Sequence, residues 1–140
     1  MDTPAAGLNG TIESRLVPES ERMQTLPRHF GRHMQAVEHH IFSFMHMLAS
    51  EYRGGYWHFY ELSNGGFYMA PWSDPLQIRV EGNGYEGSMT ADAAGITVCL
   101  FALSYLSFRL PNESISQHFH LLRDFALQHA EISEIIAAID

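Results

Sequence analysis

One hundred and forty residues supply one domain's worth of chain, enough to bury roughly two thirds of its unfolded surface in a single core. Sixteen acidic residues against eight basic ones give a formal charge of −8, which opposes non-specific nucleic-acid binding because phosphate affinity comes from Lys and Arg. All eight bases are arginine, which leaves no lysine for a Walker A loop, a Schiff base or pyridoxal phosphate, and the single Cys99 excludes an intramolecular disulfide and a zinc knuckle.

Taken in chain order, residues 1–14 are small, polar and aperiodic, and read as a loose tail ahead of a single domain over 15–140. The opening MDTPAAGLNG has neither a basic start nor an apolar core and does not read as a signal peptide. Pro18 to Met23 predicts a short helix that Pro27 stops. Met34, Val37, Ile41, Phe44, Met45 and Leu48 then recur at helical spacing, with Gly54-Gly55 as the exit.

The stretch YWHFYELSNGGFYMAP (56–71) carries seven aromatic rings around Asn64-Gly65-Gly66. Tyr56–Leu62 and Phe67–Pro71 are strand-forming runs, and Asn64-Gly65 between them predicts a two-residue type I′ turn that sets Leu62 opposite Phe67 and Tyr60 opposite Met69. Such a pair is apolar on both faces and belongs under helices. Leu76, Ile78 and Val80 alternate with Gln77, Arg79 and Glu81 as a third, half-exposed strand. Gly82–Ser88 reads as a loop. Thr90 and Asp92 then open an apolar helix running to about Arg109, which should be central. Pro111-Asn112 ends it, a helix from Ser114 to His129 turns Ile115, Phe119, Leu122 and Ala126 inward, and Ile132–Ile139 forms a last one. The expected fold is α+β: one domain, with a small antiparallel meander of about three strands (56–81) packed by four or five helices.

Chemistry-bearing patterns are sparse. Gly82-Asn83-Gly84-Tyr85-Glu86-Gly87 matches Gly-x-Gly-x-x-Gly, but no parallel strand follows, no ribose-binding acid is placed, and Glu86 would repel a pyrophosphate. Of the nine histidines, His29 and His33 have i, i+4 spacing yet lack a third ligand, while His118 and His120 diverge on a helix, so the histidines read as scattered surface and interface groups. Ser116, His120 and Asp124 line up one turn apart and would stack rather than converge on one atom. Cys99 reads as an inert core thiol. The ring-rich hairpin has no Arg or Lys between Tyr56 and Asp74, so no basic groove accompanies it for nucleic-acid stacking. No catalytic, metal or cofactor site is expected.

EYRGGYWHFYELSNGGFYMAP (51–71), followed by GNGYEGSMTADAAGI (82–96) and preceded by RLVPESERM, resembles the signature of the ArdB/KlcA antirestriction family of plasmid-borne proteins, with coverage from Arg15 to the C-terminus. The resemblance implies a small cytoplasmic, non-enzymatic inhibitor whose partner is a type I restriction–modification enzyme, with neither DNA nor membrane as a direct target. It carries over no catalytic residues. Tyr56, Trp57, Tyr60, Asn64, Gly65 and Gly66 transfer as fold determinants only. Two alternatives stand beside protein–protein inhibition: an acidic DNA mimic in the enzyme's DNA channel, and a histidine-metal hydrolase. Duplex DNA carries about one charge per 1.7 Å, so imitating about 35 Å of it needs on the order of 20 clustered acids. The sixteen present are spread from Asp2 to Asp140. Glu131, Glu134 and Asp140 form a run without intervening arginine and are the candidate docking residues.

Overall fold

The apolar segment after Met89 is the axis of the molecule. In the computed structural model, which describes residues 10–140, helix α3 (Ala91–Ser107) is buried along nearly its whole circumference, from Ala93 to Leu106. Its start follows from local chemistry: the Thr90 hydroxyl accepts the Ala93 N–H at 3.2 Å, and Asp92 occupies the positive end of the helix dipole. The expectation of a central helix holds.

A three-stranded antiparallel sheet of order β1 (Ser14–Leu16), β2 (Trp57–Leu62) and β3 (Phe67–Pro71) lies against it. Among the described residues, the outer edge of β3 has no strand partner. Helix α3 covers it instead, with the Cys99 thiol 3.5 Å from the Met69 carbonyl oxygen. Gly95 permits this approach, since a Cβ there would stand 2.5 Å from the Met69 carbonyl oxygen and from the Ala70 Cβ. On one face of the sheet, helices α1 (Arg22–Phe30) and α2 (Met34–Leu48) bring Phe30 edge-on to Phe67 and Phe42 edge-on to Trp57. From the other side, α4 (Glu113–Ala126) stacks Phe125 on Tyr68. Strands β4 (Leu76–Val80) and β5 (Tyr85–Met89) form a second, two-stranded sheet, and α5 (Ile132–Ile139) closes the chain. The α+β class and its helical packing are therefore as expected.

Four local readings change. The third expected strand forms, but it pairs with β5 rather than continuing the meander, because Pro71 to Pro75 carries the chain away from β3 and the supposed 82–88 loop is a hairpin turn followed by a strand. Helix α1 runs through Pro27 and stops at Gly31, whose φ of +52° with ψ of −130° favours glycine. The β2–β3 register is shifted by one: Tyr60 faces Tyr68 and Glu61 faces Phe67. Gly65 N–H donates to the Leu62 carbonyl and Leu62 N–H to the Gly66 carbonyl, so Ser63-Asn64-Gly65 is a three-residue loop with only Gly65 at positive φ, +94°. The Asn64 side chain selects this loop by accepting the Gly66 N–H and donating to the Leu121 carbonyl on α4, both at 3.0 Å. The fourth concerns the N-terminus. Residues 1–9 of the expected tail lie outside the described residues, whereas Ile12 bonds the Gln128 amide and Glu13 N–H donates to the Ser63 hydroxyl, which leads the chain into β1.

Candidate functional site

The register decides what the ring-rich hairpin presents. Trp57 and Phe59 point into the core, with Trp57 donating its indole N–H to the Tyr52 hydroxyl at 2.7 Å. His58 and Tyr60 alternate to the opposite face, as strand geometry requires. There Tyr60 stacks on Tyr68 with ring centroids 4.6 Å apart, and His58 meets Trp72 edge-on at 5.0 Å. Trp72 follows Pro71 out of the sheet and is 73% exposed. His58, Tyr60 and Trp72, together with Leu16 on the edge strand, Asp74, and Ala91 and Asp92 at the start of α3, line an open groove of about 820 Å³. No arginine lines it. Outside the groove, Tyr56 donates its hydroxyl to Glu19 at 3.0 Å and carries the Arg22 guanidinium over its ring at 4.5 Å.

Asp92 lines the groove and is the centre of a network. It accepts the Tyr68 hydroxyl at 2.7 Å and bonds His129 Nε2 at 2.9 Å, while the Glu131 N–H donates to His129 Nδ1. Burial alone would push the Asp92 carboxyl up, but the bonds from His129 and Tyr68 outweigh it and hold the group below the usual carboxylate range. His129 is correspondingly raised, first by its bond to Asp92. The Tyr68 hydroxyl is raised well above the usual phenol range by burial and by the neighbouring Asp92 charge.

A second network lies on the far face. His29 Nε2 is 2.7 Å from Glu61, His29 Nδ1 is 2.9 Å from His118 Nε2, and His118 Nδ1 is 2.9 Å from the Ser114 carbonyl. A carbonyl only accepts, so His118 donates from Nδ1 and presents Nε2 to the His29 Nδ1–H. Glu61 also bonds Arg28. Despite the upward push of burial, the His29 and Arg28 bonds hold Glu61 below the usual carboxylate range. Burial in turn lowers His118. At 8% exposure, with both ring nitrogens engaged and Phe30 against its ring, His118 ties α1, β2 and α4 together and faces no substrate.

The sequence-derived candidates fall as follows. Glu131 accepts the Thr90 N–H and hydroxyl, and Glu134 accepts the Tyr85 hydroxyl, so two of the three C-terminal acids hold α5 to the rest of the fold; Asp140 is exposed. Gly82 to Gly84 belong to the β4–β5 turn, where Asn83 donates to the Ala137 and Ala138 carbonyls of α5. His29 and His33 are separated by the helix break at Gly31. Among the described residues, no three His, Cys, Asp or Glu side chains are grouped to hold a metal ion. Ser116 and His120 share a shallow surface hollow with Glu113 and Gln117. Cys99 is fully enclosed, and burial pushes its thiol up to about 12. The groove and both histidine networks were missed from sequence because their members lie far apart in the chain; only the His58/Tyr60 alternation hinted at one wall.

Comparison with known proteins gives a consistent picture. A family model described as antirestriction protein matches residues 50–140. The antirestriction protein KlcA of Escherichia coli is 46% identical over 137 residues, covering 92% of this chain and 94% of the relative. An uncharacterized protein, YfjX, of Escherichia coli strain K12 is 40% identical over 144 residues, covering 98% and 93%. A solved structure matches all of both chains with a TM-score of 0.86 and 40% identity; it is described as showing a novel fold and antirestriction activity of KlcA and ArdB against type I DNA restriction systems in vivo but not in vitro.

Proposed function

Because the chain belongs to the ArdB/KlcA antirestriction family, we propose that it relieves type I restriction in the cell, by contact with a protein component rather than by binding or imitating DNA. The observation that carries this reading is the employment of the acids. Glu19 and Glu21 lie beside Arg22 and Arg15, Glu61 beside Arg28 and His29, and Asp92, Glu131 and Glu134 hold Tyr68, His129, Thr90 and Tyr85. With Glu51, which accepts the Gln77 N–H, at least seven of the acids among the described residues thus have internal partners. The rest are too few and too dispersed for the charge density of a duplex.

Arginines are similarly committed: Arg22 lies over Tyr56 and Phe59, Arg109 over Tyr105, and Arg28 on Glu61, which opposes a continuous phosphate-binding track. The structural relative's activity in vivo but not in vitro favours a target or condition present in the cell over simple occupation of a purified enzyme. The proposed action is non-catalytic, as the family's description as inhibitors of restriction suggests. The test is the plating efficiency of unmodified phage on hosts with and without a type I system, with the protein expressed. Relief confined to the restricting host is expected. Equal plating with and without the protein would overturn the reading.

A further inference from the structure

The groove over the first sheet has a composition that selects its occupant. Its walls are rings and aliphatic surface, Trp72, His58, Tyr60 and Leu16, and among the described residues its carboxylates are those of Asp74 and Asp92. A carboxylate offers about four acceptor sites. Tyr68 and His129 occupy two on Asp92, which leaves capacity for a further donor. Asp74 is exposed. Trp72 stands at 73% exposure, although burying an indole is normally among the most favourable uses of that side chain.

Resting on the protein-contact reading above, we propose that this groove receives an arginine side chain presented by a partner polypeptide. A planar, weakly hydrated guanidinium stacks on aromatic faces and forks onto carboxylates, whereas an ammonium does neither as well. The chain uses the same chemistry on itself a few residues away: the Arg22 guanidinium lies 4.5 Å over Tyr56 and 4.3 Å over Phe59, with Glu19 at 3.9 Å. With two carboxylates and no arginine in the lining, phosphate and nucleic acid are repelled. The net charge of −8 adds attraction for a basic segment at long range. Leu16 and the ring edges supply apolar surface for the arginine stem.

The probes are the blocked tripeptides acetyl-Gly-Arg-Gly-amide, its lysine counterpart and its citrulline counterpart, which keeps the shape of arginine and loses the charge. Binding is read from the Trp72 indole N–H resonance of the whole protein, assigned with Trp72→Phe. Saturable binding of the arginine peptide is expected, about threefold or more tighter than lysine or citrulline and weakened by salt. Trp72→Ala and Asp74→Asn should each weaken it by about threefold or more, judged for the alanine variant by competition in a calorimeter. Trp72 and Asp74 are exposed, so both variants should fold, and circular dichroism checks this. Equal binding of the three peptides, or no binding, would overturn the proposal without touching the antirestriction reading. Failure of the unaltered protein to relieve restriction would overturn that reading and leave the peptide result standing. Arginine-peptide binding lost in Trp72→Ala, with restriction relief undiminished, would remove the groove as the partner site.

Discussion

Gly65 and Gly95 show how single residues without side chains fix the hairpin and its cover. At a φ of +94°, a β-branched residue in place of Gly65 is strained, so Gly65→Val should destabilise the domain by about 1–3 kcal/mol, read as a lowered midpoint in urea. Gly95→Ala, which drives a methyl into the Met69 carbonyl, should cost a similar ~1–3 kcal/mol through overpacking and would be milder only if α3 can slide from the edge of β3. The Asp92–His129 pair predicts a pH window. Asp92 is lowered in the fold, so its contribution is present above its unfolded value of about 4 and lost as pH falls through the folded value. His129 is raised, so its contribution is present below about 6.5 and lost as pH rises through the folded value. The difference in melting temperature between the protein and Asp92→Asn should therefore peak at about pH 5–6 and narrow on both sides. A difference that grew steadily to pH 9 would contradict the pairing.

Among elements, the legible ones were those whose signal is local. The α2 stripe of Val37, Ile41, Met45 and Leu48, the Thr90 cap and the uniformly apolar α3 are each written within one stretch of chain. What was not legible depends on distant partners. The hairpin loop has three residues because Asn64 reaches Leu121, and Tyr85–Met89, with Gly87 and Ser88 inside it, is a strand only because β4 lies beside it. His118 takes an inward position that Phe119 was expected to fill more fully, because its donor and acceptor are met by Ser114 and His29. The C-terminal helix is tied down by the side chains of Glu131 and Glu134 rather than left as an acidic surface. Glu131→Ala should accordingly lower stability by about 1 kcal/mol or more, since it strips the Thr90 N–H and hydroxyl of their acceptor. Asp140→Asn should leave thermal stability unchanged within error, and an equal loss in both variants would contradict the tether.

At the scale of the whole molecule, charge sets the boundaries of function. The −8 balance was readable from composition and the family resemblance from the 51–71 and 82–96 stretches, but which acids are free could not be read before they had partners. No described helix is long and apolar enough to cross a membrane. Duplex DNA titrated with the protein at physiological salt should give no saturable anisotropy change, because the net charge is −8 and Arg15, Arg22, Arg28 and Arg109 are engaged by carboxylates or rings. Glu81 on the β4–β5 turn and Glu113 and Asp124, about three turns apart on α4, are exposed, so they report on total charge without disturbing the core. The most direct test of action through a protein contact is phage plating on a type I restricting host. It compares the unaltered protein with the triple variant Glu81→Gln, Glu113→Gln and Asp124→Asn at matched expression. Relief retained to within about threefold is the predicted result, since dispersed exposed charges steer association more than they hold a complex together. Loss of relief in proportion to the charge removed would contradict it and restore DNA imitation as the mechanism.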